Sequence, residues 1–175
     1  MLRVTEALKL AGLVDTEWMT PHGAARGTAT HEATALDDAG RLDPTWSHPE
    51  ITPRLESWRR FRRESGLAVE AAELEVVHHA MRYAGRLDRI ARFPKDTRPT
   101  LIDIKNGSKA AWHRIQTALY ALAWCAQTGE ATPNRGAVYL NADGRSAVFV
   151  PHKDRTDFEV ARHVIGLAGF LKENA

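Results

Sequence analysis

Val4, Ala7, Leu8 and Ala11 recur at the i, i+3, i+4, i+7 spacing of one helix face, and the stripe stops at Gly12. The next segment, VDTEWMTPHG, contains Pro21 and Gly23 and predicts a loop. A second helix is expected from near Gly23 to about Asp38, with His31 in its middle. Asp43 to Pro53 carries Pro44, Pro49 and Pro53 and predicts another loop. In the third helix, RLESWRRFRRESG, Leu55, Trp58 and Phe61 share one face and Arg59, Arg60, Arg62 and Arg63 cover the other. The period then changes. Val69 to His78 alternates as a strand, and Tyr83 to Gly107 predicts two more strands around a turn centred near Asp96. Ser108 to Gln127 predicts a long helix burying Ile115, Leu119, Leu122 and Ala123. Gly136 to Leu140 and Ala147 to Val150 form a hairpin across Asn141–Gly144, and a last helix runs from about Asp154 to Leu171. This order predicts a single mixed α/β (α+β) domain, with N-terminal helices over 1–66, a central part over 69–128 and a C-terminal hairpin and helix over 134–172.

The hairpin YAGRLDRIARFPKDTRPTLIDIKNG holds charges that its apolar pattern does not call for. Strand residues two apart share a face, so Asp103 and Lys105 point together and Ile104 points away. A turn near Asp96 places Asp88 opposite or diagonal to that pair. Charges on a buried face destabilise a strand unless they are paired or bound to an ion. Two arrangements satisfy this: a metal site, or an Asp–Lys surface pair on a half-exposed sheet. Gly85, three residues before Asp88, predicts a bend or a close backbone approach.

Composition removes several classes. The chain has 175 residues, 43% hydrophobic and 26% charged, as an ordinary globular protein does. It has no apolar run long enough for a membrane and too polar a start for a signal peptide, so no membrane partner and a cytoplasmic location are expected. One cysteine, Cys125, excludes an internal disulfide and an iron–sulfur cluster held within one chain. A net charge of +2 and a pI near 8.9 are too mild to establish nucleic-acid binding, so the distribution of charge carries more weight. The four arginines of the third helix are either a solvated face or a grip on phosphates.

His31–Glu32 starts like a zinc-protease helix, but that motif needs a second histidine one turn on, where Ala35 stands. The ordered set GTATHE, YAGRLDRI, LIDIKNG and QTALY instead resembles the PD-(D/E)XK nuclease superfamily, especially its RecB-type and phage-exonuclease branch. These motifs span Gly27 to Tyr120. The resemblance implies a restriction-endonuclease-like core, a central mixed sheet of about five strands flanked by helices. It implies Mg²⁺ or Mn²⁺ held by Asp88, Asp103, His31 and the backbone carbonyl of Ile104. Lys105 would hold the attacking water, with Gln116 and Tyr120, four apart on one helix face, orienting water, Lys105 or DNA. Asn106 stands where the family often has threonine, and the four-cysteine cluster of some relatives is absent. Some members carry a further acid before the hairpin. Glu73 and Glu75 are the candidates, with Glu75 the better placed. Arg26, near the start of the histidine helix, is a candidate phosphate ligand beside Arg59, Arg60, Arg62 and Arg63. The remaining histidines and Trp18, Trp46, Trp58 and Trp124 are expected to be structural or at the surface, and Trp112 is placed to stack on a base.

The function that follows from the resemblance is a metal-dependent deoxyribonuclease, an exonuclease of phage or bacterial recombination or repair, with DNA as partner. A non-catalytic DNA-binding module and a non-specific endonuclease are the alternatives, and a hydrolase of a non-nucleic substrate is disfavoured by the arginine helix. Homo-oligomer formation stays open.

Overall fold

The computed structural model describes residues 1–14 and 20–174. Residues 15–19 of the loop predicted around Pro21, Trp18 among them, lie outside the described residues. The elements run β1 (Leu2–Arg3), α1 (Val4–Leu10), α2 (Pro21–Asp38), α3 (Thr52–Ser65), β2 (Ala68–His78), β3 (Tyr83–Arg92), β4 (Thr100–Lys105), α4 (Trp112–Thr128), β5 (Asn134–Tyr139), β6 (Val148–Pro151) and α5 (Thr156–Glu173). No helix among the described residues is long and apolar enough to cross a membrane.

Differences from the sequence expectation have local causes. α2 begins at Pro21 rather than near Gly23, because Thr20 caps it by accepting from the Gly23 amide at 3.0 Å and Pro21 enters the first turn, where no amide hydrogen is needed. Pro53 enters the first turn of α3 in the same way. The glycine after α3, Gly66, takes a left-handed φ of 68° and stops the helix. α4 starts at Trp112, four residues later than predicted. β1, two residues paired in parallel with Tyr83 and Ala84, was not predicted; two residues carry no detectable alternation.

β2 runs antiparallel along one edge of β3, while β1 and β4 share the other. β4 and β5 are parallel, with α4 as the crossover, and β6 closes the sheet antiparallel to β5. The sheet is mixed, as expected. One apolar cluster packs α1, α4 and α5 against it around Leu87, Leu101, Leu119 and Ile165. A second packs α3 through Trp58 and Phe61 on Ile102, Ile104 and Val138. Leu101 therefore faces α4, and alternation carries Asp103 and Lys105 to the same side.

At Gly85, β3 is closely approached by side chains of α4 and α1. A Cβ there would lie 2.5 Å from Cε1 of Tyr120 and 2.9 Å from Cγ2 of Val4. Gly85→Ala is expected to destabilise by about 1–3 kcal/mol, the usual cost of overpacking, read as a lower urea midpoint at unchanged slope. A midpoint equal to that of the native chain would show that Tyr120 moves freely.

Candidate active site

The predicted turn position sets the centre of the site. Pairing of Arg89 with Ile102 and of Ala91 with Thr100 centres the hairpin between residues 95 and 96. The same register carried one step further sets Asp88 across from Asp103. The ladder ends at Arg89–Ile102, and the strands part. In that gap Asp88 Oδ2 accepts from the Ile104 amide at 2.5 Å, so a carboxylate takes the place of a backbone acceptor. Lys105 O accepts from Leu140 N on the β5 side, and alternation turns both peptide groups of Ile104 toward β3 and Asp88.

On the other edge of β3, pairing of Ala72 with Arg89 and Leu74 with Leu87 sets Glu73 directly across from Asp88. Glu73 holds a left-handed φ of 53°, rare for a residue with a Cβ. One acid from each of β2, β3 and β4 thus lies on one rung of the sheet. This corrects the expectation that Glu75 is the better-placed extra acid. Glu75 pairs across from Arg86 and forms ion pairs with Arg86 at 3.5 Å and Arg3 at 4.0 Å, with 63% of its side chain exposed. Counting back from the tight turn at residues 79–82 would have found Glu73.

α2 brings His31 onto this rung. Its Nδ1 lies 3.3 Å from Asp88 Oδ1 and 3.9 Å from Glu73 Oε1. His31, Glu73 and Asp88 each offer a ligand atom within 4.8 Å of the others. Small buried residues, Thr30, Ala33 and Thr34, let α2 approach closely. The helix is fixed by Asp38 at its end, whose carboxylate accepts from Arg89 Nε at 2.6 Å, Trp58 Nε1 at 2.9 Å and Arg62 Nη1 at 2.5 Å. α4 supplies the opposite wall. Lys105 Nζ donates to Gln116 Oε1 at 2.7 Å, Gln116 Nε2 donates to the Tyr120 hydroxyl at 3.1 Å, and Nζ lies 5.0 Å over the Trp112 ring.

The charges are strongly coupled. The charge on Asp88 raises His31 to about 8, against the opposing effect of burial. Burial would raise Asp88, but His31, Lys105 and the Ile104 amide together hold it below the usual carboxylate range. Burial, joined by the charge on Asp88, raises Asp103 even though Lys105 is adjacent. Burial, then Asp88, raises Glu73. Lys105 Nζ forms an ion pair with Asp103 Oδ2 at 2.7 Å, so one ammonium serves both this buried carboxylate and Gln116. Two buried carboxylates, the half-buried Glu73 and an imidazole form a donor set that fits a divalent cation well.

His31, Glu73, Ile104, Lys105, Asn106 and Arg26 line the wall of a groove of about 1070 Å³. Arg26 also pairs with Glu50 at 3.2 Å. The predicted arginine face divides. Arg59 is paired with Asp37 and Glu56, and Arg62 with Asp38, while each side chain stays partly exposed. A phosphate contact by either would have to compete with these ion pairs. Only Arg60 and Arg63 are exposed and enter no ion pair among the described residues. Trp58 and Trp124 are core residues, and Trp46 is exposed. Two histidines are buried: His113 shares a 2.7 Å hydrogen bond with the Tyr139 hydroxyl and His152 a 2.8 Å one with Thr117.

Comparison with known proteins gives the family and the fold. The family model of the PD-(D/E)XK nuclease superfamily matches residues 9–173. A protein of Eubacterium rectale assigned as an exonuclease is similar in fold, with a TM-score of 0.59 at 9% identity over 99% of this chain and 81% of that one. An alkaline exonuclease from Laribacter hongkongensis, LHK-Exo, aligns over 99% of this chain and 88% of its own at 17% identity and a TM-score of 0.46. Its complex with dAMP aligns over the same shares at 15% identity and a TM-score of 0.42. No curated protein matches the chain in sequence. A match over nearly the whole length, on a mixed sheet whose central strands hold the acids and lysine of the family's motifs, settles the assignment: the chain belongs to the PD-(D/E)XK nuclease superfamily.

Proposed function

We propose that this chain is a metal-dependent deoxyribonuclease that degrades linear DNA from an end, an exonuclease of the cytoplasm of a bacterial or phage-infected cell serving recombination or repair. The observation that carries the reading is the gathering of ligand atoms of His31, Glu73 and Asp88 within 4.8 Å of one another, on the rung shared with Asp103 and beside Lys105. Asp88, Asp103, His31 and the Ile104 carbonyl would hold Mg²⁺ or Mn²⁺, with Glu73 as a further oxygen donor. Such a cation supplies positive charge to the scissile phosphate and lowers the pKa of a bound water.

The protein's own part follows from its contacts. Lys105, fixed by Gln116, holds the attacking water and favours its hydroxide form through its charge. Tyr120 orients Gln116 and so acts one step further from the water. Arg26 stands on the groove wall where a strand's phosphate would pass. End-dependence is supported by the resemblance of the motifs to the exonuclease branch, and by sequence-blind phosphate contacts that position a strand without specifying it. The test is a closed single-stranded circle against the same circle opened once, in Mg²⁺, Mn²⁺ and EDTA. Loss of only the opened form, and none in EDTA, is expected. Equal loss of both would make the protein an endonuclease, and binding without cleavage in any metal would make it a binding module.

The divided arginine face gives a sharper expectation than the sequence did. Arg60→Gln with Arg63→Gln should lower the log–log salt slope of duplex binding by about 2, at roughly 0.9 per phosphate contact. An unchanged slope would return these two residues to the solvated surface.

A further inference from the structure

The other end of β4 carries a second groove, of about 800 Å³, at the first residues of β4 and β5. Thr100, which opens β4, lies five residues from Lys105, roughly 17 Å along an extended strand. Arg98, Lys153 and Arg155 line this groove; all three are exposed and enter no ion pair among the described residues. Asp96 is the one acid in its lining. Phe149 and Phe158 line it as well and are half-buried, Phe149 with its ring 5.3 Å from that of Phe93 and Phe158 with its ring 4.7 Å from the Arg135 guanidinium. The Thr100 hydroxyl, in a residue only 1% exposed, has no hydrogen-bond partner although it lines the groove. A buried hydroxyl left without a partner is uncommon.

We propose that this groove is a second nucleic-acid site that binds a single strand without regard to sequence, with Arg98, Lys153 and Arg155 on its phosphates and Phe149 and Phe158 against its bases. Unpaired cations supply the electrostatic attraction to successive phosphates. Aromatic rings stack only on bases that have left a duplex, which selects a single strand over a double one. The site stands apart from the acids of the active site and does not rest on their chemistry. Its service to the proposed activity would be to hold the strand that is not being cut.

Binding of dye-labelled oligothymidylate to the whole chain, read by fluorescence anisotropy in EDTA, tests this. R98Q/K153Q/R155Q should weaken binding at least tenfold at low salt and lower the salt slope by about 2, at roughly 0.7 per contact on single strands. Its melting temperature should stay near that of the native chain, because these side chains are exposed and unpaired. Unchanged affinity and slope would overturn the proposal. So would dTMP binding as tightly as the oligomer, which would make the groove a mononucleotide pocket. Because EDTA prevents metal-dependent cleavage, failure here leaves the nuclease reading intact, whereas a chain that binds the strand but cuts nothing with metal added would overturn that reading alone.

Discussion

Lys105→Ala is expected to reduce DNA cleavage on the order of a hundredfold or more, the usual worth of a positioned group that handles the reacting proton, while the protein stays folded. The ammonium is held by Gln116 at 2.7 Å, lies 2.7 Å from Asp103 Oδ2 and sits over Trp112, so one conformation is selected at no cost during the reaction. Its removal leaves Asp103, 2% exposed, without its neighbouring positive charge. Burial already raises Asp103, so its carboxyl takes up a proton in place of remaining a buried anion, and the fold is spared. Single-turnover cleavage of labelled linear DNA beside a thermal melt separates the two effects. Lys105→Arg should recover little, since a planar guanidinium cannot take the place of a compact ammonium between Asp103 and Gln116. Asp88→Ala should behave differently and lose affinity for the cation itself, as calorimetry would show. Turnover close to that of the native chain in Lys105→Ala would remove the mechanism proposed for this residue.

The largest loss of stability is expected from Arg89→Met, about 3–5 kcal/mol, the cost of breaking a buried ion pair from one side. Arg89 has no exposed surface. Its guanidinium donates to Asp38 at 2.6 Å, Glu73 at 3.1 Å, the Asp88 carbonyl at 2.6 Å and Thr34 at 2.9 Å, and lies 5.8 Å over the Trp58 ring. Methionine fills much of the volume and supplies none of these donors, so Asp38 is left buried with a charge that Trp58 and Arg62 only partly satisfy. For a chain of this size the change corresponds to a melting temperature lower by roughly 10 °C. A loss below about 1 kcal/mol would mean that α2 does not depend on this pair. Cleavage should fall by more than the folded fraction does, because the same contacts set His31 against Asp88.

Much of this arrangement could be read from residue order. The turn near Asp96 fixed the register that brings Asp88 to Asp103, and the four-residue spacing of Gln116 and Tyr120 placed both beside Lys105. Gly85 marked a close approach, and Tyr120 and Val4 are what approaches. What could not be read depended on pairing across long separations. The arginines of α3 formed a periodic pattern in any environment, and only the packing of α2 on α3 shows that Asp37 and Asp38 pair with Arg59 and Arg62. Glu73 and Glu75 share strand parity, so alternation could not choose between them. Their cross-strand partners did, Asp88 for one and Arg86 for the other.

The left-handed backbone at Glu73 has an evolutionary consequence. Such a conformation in a residue with a Cβ costs on the order of 1–3 kcal/mol, and glycine would adopt it almost freely. Selection on the backbone conformation alone therefore favours glycine at this position, set against the ion pair that Glu73 gives the buried Arg89. Selection for a carboxylate facing His31 and Asp88 favours glutamate and tolerates the strain. Position 73 should then be a place where descendants freed from the need to cut can be told apart: a lineage that kept the fold as scaffold would drift toward glycine here, and one that kept the chemistry would not.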